Sequence, residues 1–255
     1  LALNPDGKKL FSEILGKKNG FCRGNGGSMH LWDGKSGFYG SVPIVAGTVS
    51  LAVGAALSSR IKKDNTVSIA YLGDGAMEEG VVHESLNLAK IQKLPVIFVV
   101  ENNLFASHMD ISLRQTNYFT SRFAAANEIQ NCVVDGNDVL SIANECQQLI
   151  HNARNNYEPG FIEMITYRWF GHVDWREDID VGLKRSKIDL ENWKKRDPIL
   201  RLKKAMIDNE IISDKDYDNL TEKITNEIDK SWDFAVKAPY PSKNDLMKNI
   251  YSSSK

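Results

Sequence analysis

A chain of 255 residues can hold one large domain, or one domain with an appendage. Its 42% hydrophobic and 25% charged residues are ordinary for a soluble globular protein, and a net charge of −1 excludes the broad positive field that gathers nucleic acid or membrane lipid. There is no run of about 20 apolar residues and no secretory signal at Leu1, so neither a transmembrane helix nor export is expected.

Cys22, Cys132 and Cys146 are too widely spaced for a CxxC metal site and too few for a disulfide framework, and a reducing cytoplasm is the simplest reading. Residues 17–42 carry seven glycines, from Gly20 to Gly40, and form a long irregular segment of the kind that often serves function. Residues 46–61 are small and apolar, with Ala52, Gly54, Ala55 and Ala56 close together, and predict a buried helix lying near a neighbour. A strand is predicted over 67–72, ending in Gly73-Asp74-Gly75. Residues 78–93 read as a helix with Val81, Val82, Ser85, Leu86, Ala89 and Ile91 toward the core. Pro95 opens a second strand, 95–100, which leads to Asn102-Asn103. Val133-Val134 is a short strand, and the turn Asp135-Gly136-Asn137 can cap a helix from about 138 to 154. Residues 161–167 form another strand. This alternation predicts an α/β fold with a parallel sheet flanked by helices. The tail is different: a short charged stretch at 189–195, a helix opening at Asp197-Pro198, and a long amphipathic helix from Ser213-Asp214 to about 236. We divide the chain into a sheet domain, 1–182, and a C-terminal helical extension, 183–255, packed on the sheet or on another subunit. Residues 251–255 read as frayed.

The chemistry concentrates at two strand ends. Asp74 and Asn103 both fall at the carboxyl ends of presumed parallel strands, where open α/β sheets bind ligands. A carboxylate and an amide oxygen are hard donors that suit Mg²⁺, which keeps few protein ligands and completes its shell with water and phosphate. Gly73-Asp74-Gly75 alone reads as a turn, and so does Asn102-Asn103. Together they read as a magnesium diphosphate site.

Gly73-Asp74-Gly75 followed by Asn102-Asn103 resembles the thiamine diphosphate motif, and one strand–helix–strand crossover brings its ends side by side. Gly26-Gly27-Ser28-Met29-His30, Lys93-Leu94-Pro95 and Tyr167-Arg168-Trp169-Phe170-Gly171-His172 extend the likeness in order. The whole is similar to the alpha subunit of the thiamine-dependent decarboxylating component of 2-oxo acid dehydrogenase complexes, the family of pyruvate, branched-chain and acetoin dehydrogenases.

The resemblance implies a thiamine diphosphate-binding fold, specifically its diphosphate-binding domain. It implies Mg²⁺ held by the side chains of Asp74 and Asn103 and the backbone carbonyl of Phe105. Gly73 belongs to the same motif, and Gly75 and Ala76 would turn backbone N–H groups to the diphosphate where a helix begins. Val45 would touch the aminopyrimidine through its backbone, with Pro43 standing where relatives often have glycine. Arg168 would lie near the diphosphate. His172 would be the catalytic histidine that stabilises intermediates and moves protons near neutral pH.

Among the other histidines, His30 reads as a loop-fixing residue or a rim of the site, His83 as packing, His108 as a residue able to approach substrate, and His151 as solvated. Lys184-Arg185-Ser186-Lys187 reads as a solvated run. Two departures from the family stand out. Diphosphate-binding residues that it places upstream of the glycine-rich loop have no counterpart here, so residues precede Leu1 in the whole protein or that grip is missing. Val173 follows the loop histidine where animal pyruvate dehydrogenases carry a phosphorylatable serine, which excludes kinase control at that position.

Thiamine chemistry also needs a carboxylate against the aminopyrimidine, and no motif here places one. The family supplies it from a separate beta subunit. The resemblance therefore implies an active site shared between alpha and beta chains, an α2β2 tetramer, a small 2-oxo acid or acetoin as substrate, and a lipoyl acyltransferase as partner. A split transketolase-like or carboligating enzyme and a non-catalytic subunit are the alternatives; the 167–172 phrase speaks against the first, and Asp74, Asn103 and His172 against the second.

Overall fold

The computed structural model describes residues 1–173, 175, 185–245 and 248. Its helices are α1 (Gly7–Ile14), α2 (Gly47–Lys62), α3 (Gly80–Ile91), α4 (Ser121–Ala126), α5 (Val139–Asn156), α6 (Lys187–Lys194), α7 (Pro198–Asp208) and α8 (Asp214–Lys237). Its strands are β1 (Ser68–Gly73), β2 (Val96–Asn102), β3 (Phe105–Ala106), β4 (Met109–Asp110), β5 (Gln130–Asp135) and β6 (Gly160–Ile165). Two units emerge: Val45–Asn209 is one, and Leu1–Ile44 with Glu210–Lys255 the other. The boundary expected at 182/183 and the tail 251–255 lie outside the described residues, as does Lys184.

In the larger unit, four parallel strands run in the order β1-β2-β6-β5. The register pairs Ser68 with Val96 and Gly73 with Glu101, so the carboxyl ends of β1 and β2 lie level. Alternation along β2 shows why the sheet is covered on both faces. Val96, Phe98 and Val100 join Val49, Val53, Val82, Leu86 and Phe161 in one apolar layer, whereas Ile97 and Val99 join Leu149, Ala153 and Ile162 in another. Helices α2, α3 and α4 supply the first layer and α5 the second. Each fully buried Leu or Phe side chain stabilises the fold by about 1.5–3 kcal/mol. At the sheet edge, Ile69 and Tyr71 of β1 remain exposed, the latter at 62%.

Local sequence accounts for the caps. Asp197 accepts from the N–H groups of Ile199 and Leu200 with Pro198 in the first turn of α7, and Ser213 forms a reciprocal capping box with Asp216 on α8. For α5 the cap is Asp138, one residue beyond the expected turn. Asp135 instead pairs with Arg196 at 2.9 Å and Arg201 at 2.7 Å.

Three expectations are corrected. Helix α2 is buried along Val49, Val53, Ala56 and Ser59 only; Gly54 and Ala55 face outward, and a Cβ added at Gly54 would meet nothing. Ile91 is exposed, because it follows Ala89 by two positions and so lies about 200° round α3 from the buried face of Val82, Ser85, Leu86 and Ala89. The helix expected over 78–93 is shorter, α3 alone: Glu78 closes a 3-10 turn that begins at Asp74, and Glu79 is extended.

In the smaller unit, α1 packs on α8 through Phe11 and Trp232, whose rings meet edge to face at 5.6 Å. Buried Glu13 organises the glycine-rich loop. Its carboxylate accepts from the N–H groups of Cys22 (2.7 Å), Gly24 (3.0 Å), Gly26 (2.7 Å) and Gly27 (3.2 Å). Glycine is required where the loop turns tightly: at Gly24, φ is +80° and a Cβ would lie 2.6 Å from the Gly16 carbonyl. His30, at the end of this loop, is exposed. No helix among the described residues is long and apolar enough to cross a membrane.

Candidate functional site

Asp74 directly follows β1, and its carboxylate is sealed, 1% exposed. Burial pushes its pKa above the ordinary value, while the Arg114 guanidinium and the backbone N–H groups of Asp74 and Asn103 act against that rise. Arg114 arrives from 40 residues downstream and pairs with both Asp74 and Glu78, and its Nε donates to the Met109 carbonyl at 3.2 Å. No motif marked this arginine. The signal available was charge balance: a buried carboxylate needs a cation or donors.

The strand geometry separates the two asparagines. Asn102, which ends β2, is fully buried; its amide donates to Glu163 at 2.7 Å and to the Tyr118 carbonyl at 3.0 Å, and its oxygen accepts from Leu104 N–H at 3.0 Å. Asn103 turns the other way, and its side-chain oxygen accepts from Phe105 N–H at 3.1 Å, which leaves that oxygen a second lone pair. Leu104 between them has φ of +71°, a left-handed conformation unusual for a branched residue. The tight bend carries the chain into the β3–β4 hairpin.

Glu163 escaped the sequence reading. It lies in the middle of β6 with 0% exposure and accepts from Asn102 and from the N–H groups of Thr120 and Ser121 (both 2.9 Å) at the start of α4. A charged residue inside the apolar run Gly160–Ile165 was the available signal, since such a group is buried only when paired.

Gly75 shows why the motif needs glycine. A Cβ there would lie 2.6 Å from the Ala106 Cβ, so β3 crosses directly over the 3-10 turn that follows Asp74. Ala76 is buried beside it, and Gly73 ends β1 in extended conformation. Phe105 is buried, and its ring meets Tyr167 edge to face at 5.8 Å. Val45 is exposed next to Ala46, whose left-handed backbone (φ +58°) starts α2.

The segment after β6 is strapped down. Arg168 donates to the Ser107 carbonyl at 2.7 Å. Tyr167 stacks on Trp193 of α6 with centroids 5.7 Å apart. Arg185, expected in a solvated run, is buried and donates to the carbonyls of Arg168, Trp169 and Phe170, the last at 3.1 Å. A guanidinium has five donors in a planar fork and can satisfy several carbonyls at once. His172 is exposed just beyond this strap. His83 packs edge to face on Phe123 at 4.6 Å, and His108 lies in the hairpin turn.

Residues 2–244 match the family described as dehydrogenase E1 component. The chain is 34% identical over 248 residues to the alpha subunit of acetoin:2,6-dichlorophenolindophenol oxidoreductase of Bacillus subtilis, covering 96% of this chain and 72% of that one. It is 32% identical over 251 residues to the pyruvate dehydrogenase E1 component subunit alpha of Rhizobium meliloti, covering 98% and 71%. A pyruvate dehydrogenase alpha-3 subunit of Arabidopsis thaliana, named as chloroplastic, is 31% identical over 254 residues, which cover 97% and 58%. The fold, an α/β sheet ending level at a buried aspartate, and this match define a thiamine diphosphate-dependent oxidoreductase. The chain belongs to the dehydrogenase E1 component family, as an alpha-type subunit. Membership implies thiamine diphosphate as cofactor, and alpha chains of this family generally pair with a beta chain.

The residues present fit that group. Gly75 admits the close approach of Ala106 to the turn after Asp74, and a guanidinium already stands as the cation on Asp74. Among the described residues, no three His, Cys, Asp or Glu side chains converge. A metal here would therefore draw on one carboxylate, an amide oxygen and a carbonyl, with phosphate oxygens completing the shell, as Mg²⁺ does.

Proposed function

We propose that this chain is the diphosphate-binding half of an E1 enzyme that oxidatively decarboxylates a small 2-oxo acid of the pyruvate type, or cleaves acetoin, and passes the acyl fragment to a lipoyl acceptor. The observation that carries the reading is the arrangement at two level strand ends: Asp74 sealed after β1, Asn103 beside it after β2, and Gly75 under Ala106 where no Cβ fits. The alpha-subunit names of the Bacillus and Rhizobium relatives support the acetoin and pyruvate alternatives equally.

In this reading Asp74, Asn103 and the Phe105 carbonyl hold Mg²⁺. Gly73, Gly75 and Ala76 line the diphosphate, where backbone N–H groups at the turn favour an anion. Arg168 adds positive charge, and Val45 meets the pyrimidine through its backbone. When bound, thiamine diphosphate supplies the electron sink for decarboxylation. His172 stands on the exposed side of the Arg185 strap, where an imidazole can give and take a proton near the reacting carbon. The carboxylate that faces the pyrimidine comes from a beta subunit in an α2β2 assembly, and a lipoyl acyltransferase receives the product. Three free cysteines support a reducing compartment, the cytoplasm in the simplest case.

Affinity purification of the chain from its native host, followed by mass spectrometry, tests this. A beta-type thiamine subunit together with a lipoyl acyltransferase is the expected result. A beta-type subunit without a lipoyl protein would favour a carboligating enzyme, and the absence of any thiamine-type partner would contradict the shared site.

A further inference from the structure

The function outlined above assigns no role to Arg114, yet its guanidinium is the cation seated on the metal-binding carboxylate. Its side chain is only 6% exposed and spans Asp74 and Glu78, with Nε on the Met109 carbonyl. Asp74 itself has almost no exposed surface, and backbone N–H groups of Asp74 and Asn103 also serve its carboxylate. A divalent ion needs an oxygen at about 2.0–2.1 Å and tolerates no neighbouring positive charge on the same carboxylate without cost. The backbone donors are fixed by β1 and β2. The arginine side chain is the part of this seal able to move.

We propose that Arg114 is a resident counterion of the cofactor site, one that competes with divalent metal for Asp74 and, once displaced, pairs with the diphosphate. Two distances place it for both tasks. It is bonded to Asp74, and its Nη1 lies 3.8 Å from the position of a Cβ on Gly75, the residue whose backbone faces the diphosphate. A planar guanidinium matches phosphate oxygens as well as it matches a carboxylate. Glu78, on the 3-10 turn and partly exposed, gives the displaced group a second anchor, so a modest swing completes the exchange. Metal and diphosphate then help each other bind beyond their direct contact, because the diphosphate draws the arginine away from the carboxylate that the metal needs. This proposal rests on the cofactor-site reading of Asp74.

The test uses the full chain purified with its accompanying subunit, as wild type, Arg114→Gln, Arg114→Lys and Asp74→Asn. Bound Mn²⁺ is counted by electron paramagnetic resonance with Mn²⁺ alone, and thiamine diphosphate is then titrated at saturating Mn²⁺. Arg114→Gln is expected to bind Mn²⁺ alone about tenfold more tightly than wild type and thiamine diphosphate about tenfold more weakly, within the usual range of coupling between sites. Unchanged or weaker Mn²⁺ binding in Arg114→Gln would overturn the proposal and make Arg114 an orienting partner of Asp74. Should Arg114→Gln fail to fold, Arg114→Lys keeps the charge and loses the fork; Mn²⁺ is then expected to raise its melting temperature more than that of wild type, and an equal rise would contradict the exchange. Mn²⁺ binding that survives Asp74→Asn unchanged would instead overturn the cofactor-site reading itself.

Discussion

The Glu163 carboxylate and the Asn102 amide meet at 2.7 Å between adjacent strands, in a position closed to solvent. The bond holds Asn102 inward at the end of β2, and the next residue, Asn103, opens the bend into the β3–β4 hairpin. The same carboxylate receives two N–H groups at the start of α4, so one buried charge ties β2, β6 and α4 together. Glu163→Gln keeps the shape but turns an NH₂ group toward donors. An unsatisfied buried donor costs about 1–3 kcal/mol. A melting temperature lower by several degrees is expected, together with weaker thiamine diphosphate binding; an unchanged affinity would show that Asn103 is positioned without this bond.

Gly75→Ala is expected to damage the site more than the fold. Its Cβ would approach the Ala106 Cβ to 2.6 Å, and the β3–β4 hairpin would have to lift. Overpacking of this kind costs about 1–3 kcal/mol. Calorimetry should show cofactor affinity falling further than stability does. Gly54→Ala is the control, since a Cβ there meets nothing and Gly-to-Ala replacement within a helix is expected to gain about 0.5–1 kcal/mol.

Arg185→Ala removes the strap on the Arg168–Phe170 carbonyls and leaves them without these donors. Limited proteolysis after residue 166 should accelerate, and kcat should fall with little change in the secondary structure seen by circular dichroism. Arg185→Lys is expected to recover only part of the loss, because an ammonium lacks the planar fork. Full recovery with lysine would reduce the role of Arg185 to its charge.

The pH dependence of stability has an identifiable contributor at Asp135. Burial alone would raise its carboxyl, but the Asn137 N–H and the guanidiniums of Arg201 and Arg196 outweigh it and hold the pKa below the ordinary 3.8. A depressed folded pKa stabilises the fold fully at pH values above the ordinary one, and the gain disappears as pH falls through the folded pKa. These pairs are partly exposed and worth about 1 kcal/mol or less. Asp135→Asn should therefore lower the melting temperature by no more than about 4 °C at neutral pH. The gap should close as pH drops below 3.8; a gap independent of pH would rule out this contribution.

Sequence reading went furthest where the pattern was local. The strands β1, β2 and β6, the caps of α7 and α8, and the Asp74–Asn103 phrase all show in periodicity, in turn residues, or in the length of one crossover. What it missed was brought together from far along the chain. Arg114 reaches Asp74 across 40 residues, and Glu163 reaches Asn102 across 61, with no spacing rule to announce either pair. Glu13 looks like an ordinary helical glutamate until the glycine-rich loop closes around it. The loop glycines permit that close wrapping. Arg185 was read by its neighbours in sequence, whereas its environment is set by the carbonyls folded over it.

The most direct test of the account is the binding of thiamine diphosphate, in the presence of Mg²⁺, to the enzyme containing Asp74→Asn. Removing one negative oxygen from a metal ligand should weaken binding by about a hundredfold or more, the upper end of what even outer-shell changes cause, and abolish its magnesium dependence. Binding by Asp74→Asn that equals wild type, with the same response to Mg²⁺, would contradict the claim that this strand end is the cofactor site.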